Sequence, residues 1–234
     1  MGIFAKPLGY LLSWLYDIIG SYGIALVVLT LIVKIALYPL YAKQIKTTTN
    51  MTKLQPKIRE IQQKYAKNKE LMNQKMAELY EKEGGSMYGG CMPMVVQMFV
   101  IMGLFALLRN PMAYLNDDNM LFAIHESFLW IPDLAQPDKW ILPIVSGIAT
   151  FIAFNFSQTS NTAAPGADQA NAMMKIMKYF FPLMILMMAR SYPAGLAVYW
   201  SVSQIVQIFY NIRFAHLKKK ILGDDKKKKK PARA

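Results

Sequence analysis

Residues 23–41 read GIALVVLTLIVKIALYPLY, an apolar run long enough to cross a bilayer and broken by one cation, Lys34. The run holds no acidic residue. An ammonium at membrane depth costs about 2.5–3.5 kcal/mol on insertion scales, so a lone one usually faces water or a working cavity. The plainer reading is a snorkelling lysine. From Lys34 to the polar segment at Lys43 is a helical rise of about 13 Å, and a lysine stem covers roughly half of that. On the residues alone the two readings stand level.

The rest of the chain has the same character. Of its 234 residues 54% are hydrophobic, gathered in long blocks instead of scattered as in a soluble core. An integral membrane protein follows. Net charge is +13, from 27 basic and 14 acidic residues, and the basic ones cluster between Lys43 and Lys82 and between Arg213 and Arg233. Both clusters belong on the cytoplasmic side. Asn110 to Asp138 carries Asp117, Asp118, Glu126, Asp133 and Asp138 with no Lys or Arg, and belongs outside. The single cysteine, Cys91, rules out an internal disulfide and a Cys-x-x-Cys redox or zinc site. His125 and His216 are too far apart to propose a metal pair. Met1 to Lys6 is too short for the parts of a cleavable signal, and no organellar presequence is visible. A bacterial plasma membrane fits, with the N-terminus outside and the C-terminus in the cytoplasm.

Hydropathy and spacing divide the chain as follows. Residues 1–21 form an amphipathic helix on the outer face, with Leu8, Leu11, Leu12, Leu15, Ile18 and Ile19 at helical spacing, Tyr10 and Trp14 for the headgroup layer, and Pro7 in a first turn. Five spans occupy 22–41, 91–108, 140–156, 173–189 and 194–212, several of them short, which predicts a locally thinned bilayer. Between them lie a cytoplasmic helical hairpin at 42–90, an extracytoplasmic loop at 109–139, a cytoplasmic loop at 157–172 and an outer turn at 190–193. Starting outside and crossing five times agrees with both basic regions and the acidic loop at once. In the hairpin, Met51, Leu54, Ile58, Ile61 and Tyr65 repeat by threes and fours, as do Met72, Met76 and Leu79 after a polar turn at Lys67 to Lys69. Its mixed Lys and Glu surface reads as a solvated helix before it reads as a docking face. Gly84, Gly85, Gly89 and Gly90 supply a flexible return. Residues 213–234 form a basic tail expected to be disordered until bound.

No phosphate loop, zinc helix or nucleophile elbow is present in the sequence, so an enzyme, a metal site and a cofactor are not expected. Function must lie in binding and in the shape of the membrane domain. Trp200, Gln204, Gln207 and Asn211 recur at intervals of four, three and four along the last span, with Ser201 and Ser203 beside them. Any one of these is as well explained as glue between helices. Together with Lys34, Thr30 one turn before it, Gln97 in the second span and Asn155 in the third, they predict a hydrophilic groove in the inner half of the membrane. Met173, Met177, Met184 and Met188 repeat along the fourth span. They suit an adaptable client surface, although ordinary helix packing explains them more simply.

Several stretches resemble the YidC family of membrane protein insertases, whose relatives act in mitochondria and chloroplasts. They are SYGIALVVLTLIVKIALYPL, KLQPKIREIQQKY, GGCMPMVVQMFVIMGLFALLRN, LPIVSGIATFIAF and YPAGLAVYWSVSQ, in that order, and with their spacing they cover nearly everything from Tyr10 to Arg213. The resemblance implies a five-span core around a groove open to cytoplasm and lipid but closed to the outside. It places the family's groove cation, usually Arg, at Lys34, which keeps the charge and loses the planar fork. The family's third-span Gln position falls at Ala153 or Phe154, with Asn155 as a nearby substitute. Gln97 and Trp200 match family positions directly. Lacking a large extracytoplasmic domain and a lipoprotein signal, the chain resembles a minimal insertase.

The expectation is therefore an all-α insertase and chaperone that draws polar or acidic client segments into a positively charged groove lined by Lys34, Thr30, Gln97, Asn155, Trp200, Ser201, Ser203, Gln204, Gln207 and Asn211. Its partners would be nascent membrane proteins, the ribosome and targeting machinery, anionic lipids and the Sec translocon, and it would act as a monomer. Lys218, Lys219, Lys220, Lys226, Lys227, Lys228, Lys229 and Lys230 would hold ribosomal RNA or anionic lipid by salt-sensitive contacts, or serve as a positive-inside anchor. Two rivals from other classes stand beside this reading. One is a small anion transporter or channel, supported by anion flux without a client; the other is a ribosome-docking scaffold, which loss of residues 218–234 would abolish.

Overall fold

The computed structural model describes residues 2–82, 92–109, 113–114, 118–159 and 168–228. The regular structure of these residues is helical, the one β feature among them being an isolated bridge between Phe128 and Ile131. The helices are α1 (Gly2–Ile19), α2 (Tyr22–Lys64), α3 (Lys69–Lys82), α4 (Met92–Arg109), α5 (Asp118–Ala123), α6 (Ile141–Thr159), α7 (Asp168–Ala189) and α8 (Ala194–Lys228). Gly84, Gly85, Gly89, Gly90, Cys91, Asn110, Asp117, Lys229 and Lys230 lie outside the described residues.

Hydropathy explains the packing. Leu12 and Leu15 of α1, Leu26 and Leu29 of α2, Leu104 and Leu107 of α4 and Tyr199 of α8 meet in one buried cluster with Met120 and Leu134. Around it α1 lies against α4 and α2, α8 packs between α2 and α6, and α7 packs on α6. The opposite face of α1 leaves Tyr10 and Trp14 exposed, as the leucine spacing predicts, while Ile18, expected beside the leucines, is exposed with them. Tyr22–Lys43 is the one stretch among the described residues that passes as membrane-spanning by length and composition; Val95–Arg109, Ile141–Phe156 and Lys178–Ala189 are shorter apolar helical stretches.

Element boundaries differ from the sequence expectation at several places: α5 falls inside the expected loop at 109–139, and α7 begins at Asp168, within the expected loop at 157–172. The first span and the first arm of the hairpin are one helix, α2, which carries Pro39 and Pro56 inside it. The polar segment after Tyr41 contains no glycine to stop it. The tail, expected to be disordered, is helical to Lys228, continuing α8 through Gly223, Asp224 and Asp225. Lastly, α1 begins at Gly2, so Pro7 sits inside the helix and not in its first turn. The hairpin turn falls where the polar residues place it: the Asn68 side chain accepts the Leu71 N–H at 3.1 Å and caps α3.

One loop ties together the same end of three helices. The Glu126 carboxylate accepts the Tyr22 N–H at 2.8 Å, capping α2, and the Tyr16 hydroxyl of α1 at 2.6 Å. The carbonyls of Gln136 and Leu134 each accept at 2.9 Å from Ala194 and Gly195, the first two residues of α8. The Asp138 carboxylate accepts from the N–H groups of Trp140 and Leu142 and from the Trp130 indole, each at 3.0 Å, at the start of α6. Partial burial raises the Asp138 carboxyl, but the hydrogen bonds from Leu142, Trp130, Trp140 and Ile141 together outweigh it and hold the group below its ordinary value. The chain reverses between α1 and α2 at Gly20, whose φ of +69° is a left-handed conformation that glycine adopts without strain. Gly23 leaves room for the Phe128 ring, which occupies the space a Cβ would take.

Candidate functional site

Lys34 lies on the α2 face that turns toward α4 and α8, about 18 Å along the helix from its start at Tyr22. Its side chain is only 3% exposed. The ammonium has three N–H donors, and three oxygens surround it: Gln97 Oε1 at 3.2 Å, Gln207 Oε1 at 3.3 Å and Tyr41 Oη at 3.4 Å. The Tyr41 ring also faces Nζ, 5.3 Å from its centroid. Among the described residues no carboxylate lies within ion-pair distance of Lys34, so neutral dipoles do the work of water around a full charge.

These contacts belong to a longer chain of hydrogen bonds across four helices. Gln97 Oε1 also accepts the Tyr41 hydroxyl at 3.3 Å, and its Nε2 donates to Tyr199 Oη at 2.9 Å. On the other side, Gln207 Nε2 donates to Asn211 Oδ1 at 3.1 Å, and Asn211 Nδ2 donates to the Ala153 carbonyl at 3.0 Å. Tyr210 adds a hydrogen bond from its hydroxyl to the Lys34 carbonyl at 3.2 Å. Away from the capping loop, the rings of Tyr38, Tyr41, Tyr210 and Phe214 pack with centroids 5.3–6.1 Å apart and close the α2–α8 seam.

A second network joins α6 to α8. The Trp200 indole donates to Thr150 Oγ1 at 2.9 Å, and the hydroxyls of Ser146 and Ser201 lie 2.8 Å apart. Residues 146, 150 and 153 share one face of α6, which explains why this side meets α8. Trp200 and Ser201 thus serve helix packing here, and only Gln207 and Asn211 of the expected stripe join the lysine network. Gln204 is half-buried and Ser203 is buried. Thr30 donates back to the Leu26 carbonyl of its own helix at 2.8 Å.

Asn155 stands apart from Lys34. Two residues beyond Ala153 is about 200° around a helix, so Asn155 leaves the α8-facing side and accepts instead from Lys178 Nζ of α7, at 2.7 Å. Tyr41, Tyr199, Tyr210, Ser146 and Thr150 are the site residues that spacing did not single out. A signal for the first two existed: Tyr41 is two turns beyond Lys34, and Tyr199 precedes Ser203 and Gln207 at steps of four. Of the methionine stripe, Met184 is half-buried and Met188 exposed. Lys218, Lys219, Lys220, Lys226, Lys227 and Lys228 lie on the last turns of α8.

Comparison with known proteins places this arrangement in a family. Residues 14–220 match the family described as 60Kd inner membrane protein. The membrane protein insertase YidC of Fusobacterium nucleatum is 35% identical over 202 residues, covering 86% of this chain and 89% of that protein. The insertase of the same name from Oceanobacillus iheyensis is 35% identical over 216 residues, 90% of this chain and 81% of that protein. A crystal structure of an active YidC insertase with its first transmembrane domain resolved superposes with a TM-score of 0.60 at 27% identity, over 89% of this chain and 45% of that longer one. The chain belongs to the 60Kd inner membrane protein family, that of the YidC membrane protein insertases.

Proposed function

We propose that the protein inserts membrane proteins by exchanging the neutral ligands of Lys34 for an acidic or polar segment of the client. The observation that carries this reading is a full positive charge, 3% exposed, held by two glutamine carbonyls and a phenol. The bonds from the ammonium are charge-assisted already, and a carboxylate in place of the neutral oxygens adds the attraction of an opposite charge. At an effective dielectric near 20, opposite charges about 4 Å apart gain about 4 kcal/mol, comparable to the cost of bringing one charge to membrane depth. The exchange lowers the barrier without a nucleotide, and burial of the client's apolar helix in lipid drives the transfer.

In this reading α2, α4, α6, α7 and α8 cross the membrane, the capping loop faces outside, and the α2–α3 hairpin and the end of α8 face the cytoplasm. The acidic residues of the loop and the lysines of the hairpin and tail support that orientation. A bacterial plasma membrane is the corresponding site. Because the aromatic seam closes over Lys34, the groove opens on the cytoplasmic side by parting α2 from α8 at Tyr38, Tyr41, Tyr210 and Phe214. The client helix leaves along α6 and α8 into lipid, and Lys34, Gln97, Gln207 and Asn211 receive its polar end. The basic end of α8 brings ribosome or anionic lipid, a single chain suffices, and the Sec translocon is a further partner.

The test is insertion of a single-span client with an acidic leading tail into vesicles holding the purified protein. Lys34→Arg is expected to insert at near wild-type rate and Lys34→Met at least tenfold more slowly, with a neutral-tailed client less affected. Equal insertion by all three would remove Lys34 from the mechanism.

A further inference from the structure

The three oxygens around the Lys34 ammonium are not held alike. Gln97 and Gln207 each direct an amide N–H to a group outside the cluster. Gln97 Nε2 donates to Tyr199 Oη at 2.9 Å, on a fully buried side chain. Gln207 Nε2 donates to Asn211 Oδ1 at 3.1 Å, and Asn211 Nδ2 in turn reaches the Ala153 carbonyl at 3.0 Å. Both glutamines are thereby fixed with their carbonyl oxygens toward the charge. The Tyr41 hydroxyl has no such tether among the described residues. It accepts from Lys34 Nζ at 3.4 Å and donates to Gln97 Oε1 at 3.3 Å, so both of its hydrogen bonds lie inside the cluster.

Position and backbone set Tyr41 apart as well. Seven residues beyond Lys34 is within about 20° of the same face of α2 and about 10 Å further along it, so the phenol stands on the side where the helix becomes polar. Its ring is one of the four that close the α2–α8 seam, 5.9 Å from that of Tyr210. Between Lys34 and Tyr41 lies Pro39, which has no N–H for the Ile35 carbonyl one turn back. The end of α2 that carries Tyr41 therefore bends with one helical hydrogen bond fewer to lose. As the seam parts, the ring loses its cover, and its oxygen leaves Lys34 without breaking any bond to a group outside the cluster.

We infer that the Tyr41 hydroxyl is a placeholder for the client's carboxylate and determines the specificity of the site. It fills one N–H of Lys34 at rest and yields that position to the client, while Gln97 and Gln207 stay bound in both states. A neutral amide gains about as much from the ammonium as the phenol it displaces, so it enters at no advantage. A carboxylate adds the attraction of an opposite charge and wins the exchange. This inference rests on the proposal that Lys34 receives the client's acidic segment.

Tyr41→Phe removes the placeholder and keeps the ring, with its packing on Tyr210 and its face toward Nζ. The resting state then has an ammonium N–H without its partner, and any acceptor on the client fills it. The experiment titrates the purified protein in lipid nanodiscs with a fluorescent single-span peptide whose leading tail carries Asp, Asn or Ala at one position. Wild type is expected to bind the Asp peptide more tightly than the other two, which should bind alike. Tyr41→Phe should raise the affinity for the Asn peptide relative to Ala about fivefold, a relaxed selectivity that a merely structural role would not produce. Gln207→Leu removes a ligand kept in both states and should not raise that ratio. An Asn-to-Ala ratio that Tyr41→Phe leaves at the wild-type value overturns the placeholder, as does an equal rise in Gln207→Leu. In either case the role of Lys34 stands if Lys34→Met abolishes the preference for Asp. Absence of that preference in wild type and Tyr41→Phe alike, or its survival in Lys34→Met, overturns the role of Lys34 and the placeholder with it.

Discussion

An ammonium coordinated by amide and phenol oxygens has its geometry set by those groups, so Gln97 is the residue whose loss reaches furthest. It accepts from Lys34 and Tyr41 and donates to Tyr199. Gln97→Leu keeps most of the volume but leaves two donors and the tyrosine acceptor without that partner. A loss of about 1–3 kcal/mol is expected, read as a lower unfolding temperature in detergent. Lys34 itself was legible because hydropathy makes a cation in an apolar run conspicuous. Of the tyrosines around it, Tyr41 and Tyr199 carry a signal in their spacing alone, since a tyrosine counts as apolar packing until its hydroxyl is placed. Asn155 shows the opposite failure. Its residue type suited a groove, but its angular position on α6, set relative to Ser146, Thr150 and Ala153, turns it toward α7.

Helix ends carry the next set of consequences. Gly23→Ala sets a methyl into the space of the Phe128 ring and should cost about 1–3 kcal/mol, part of which Phe128→Ala in the same chain recovers; thermal unfolding of the single and double variants checks this. The cap on α6 has a pH signature. Because the folded chain holds the Asp138 carboxyl below its ordinary value of 3.8, the stabilisation is complete above that value and lost as pH falls through the lower, folded one. Asp138→Asn should therefore unfold at lower temperature near neutrality, by about 0.5–2 kcal/mol, and lose less stability than wild type on acidification. The longer helices follow apolar blocks and residue spacing, whereas α5 lies in a stretch that reads as loop. Boundaries do not follow them, because α2 and α8 run past the hydrophobic limit into polar sequence that contains neither glycine nor proline at the expected break.

At the scale of the molecule, the two basic regions and the acidic loop make opposite ends of the bundle electrostatically distinct. Deleting residues 218–234 is expected to slow insertion and remove most of its dependence on salt while leaving a measurable rate, because Lys34 and its ligands remain; insertion assays across a salt series test this. The order of the helices was visible in the sequence through its alternating apolar and charged blocks. The way one loop gathers them was not, since two of the contacts to α8 come from the backbone carbonyls of Leu134 and Gln136, which no residue type announces. That loop makes the bundle mechanically unequal at its two ends. With the starts of α2, α6 and α8 fastened to one short segment, any parting of α2 from α8 pivots there, and the helices act as levers. A rotation of a few degrees about the clasp barely moves Tyr22 against Ala194, yet its displacement grows with distance and is large by Tyr41 and Tyr210. On the proposed reading, the same tether holds the capped end together and converts a small change of angle into access to Lys34 from the opposite side.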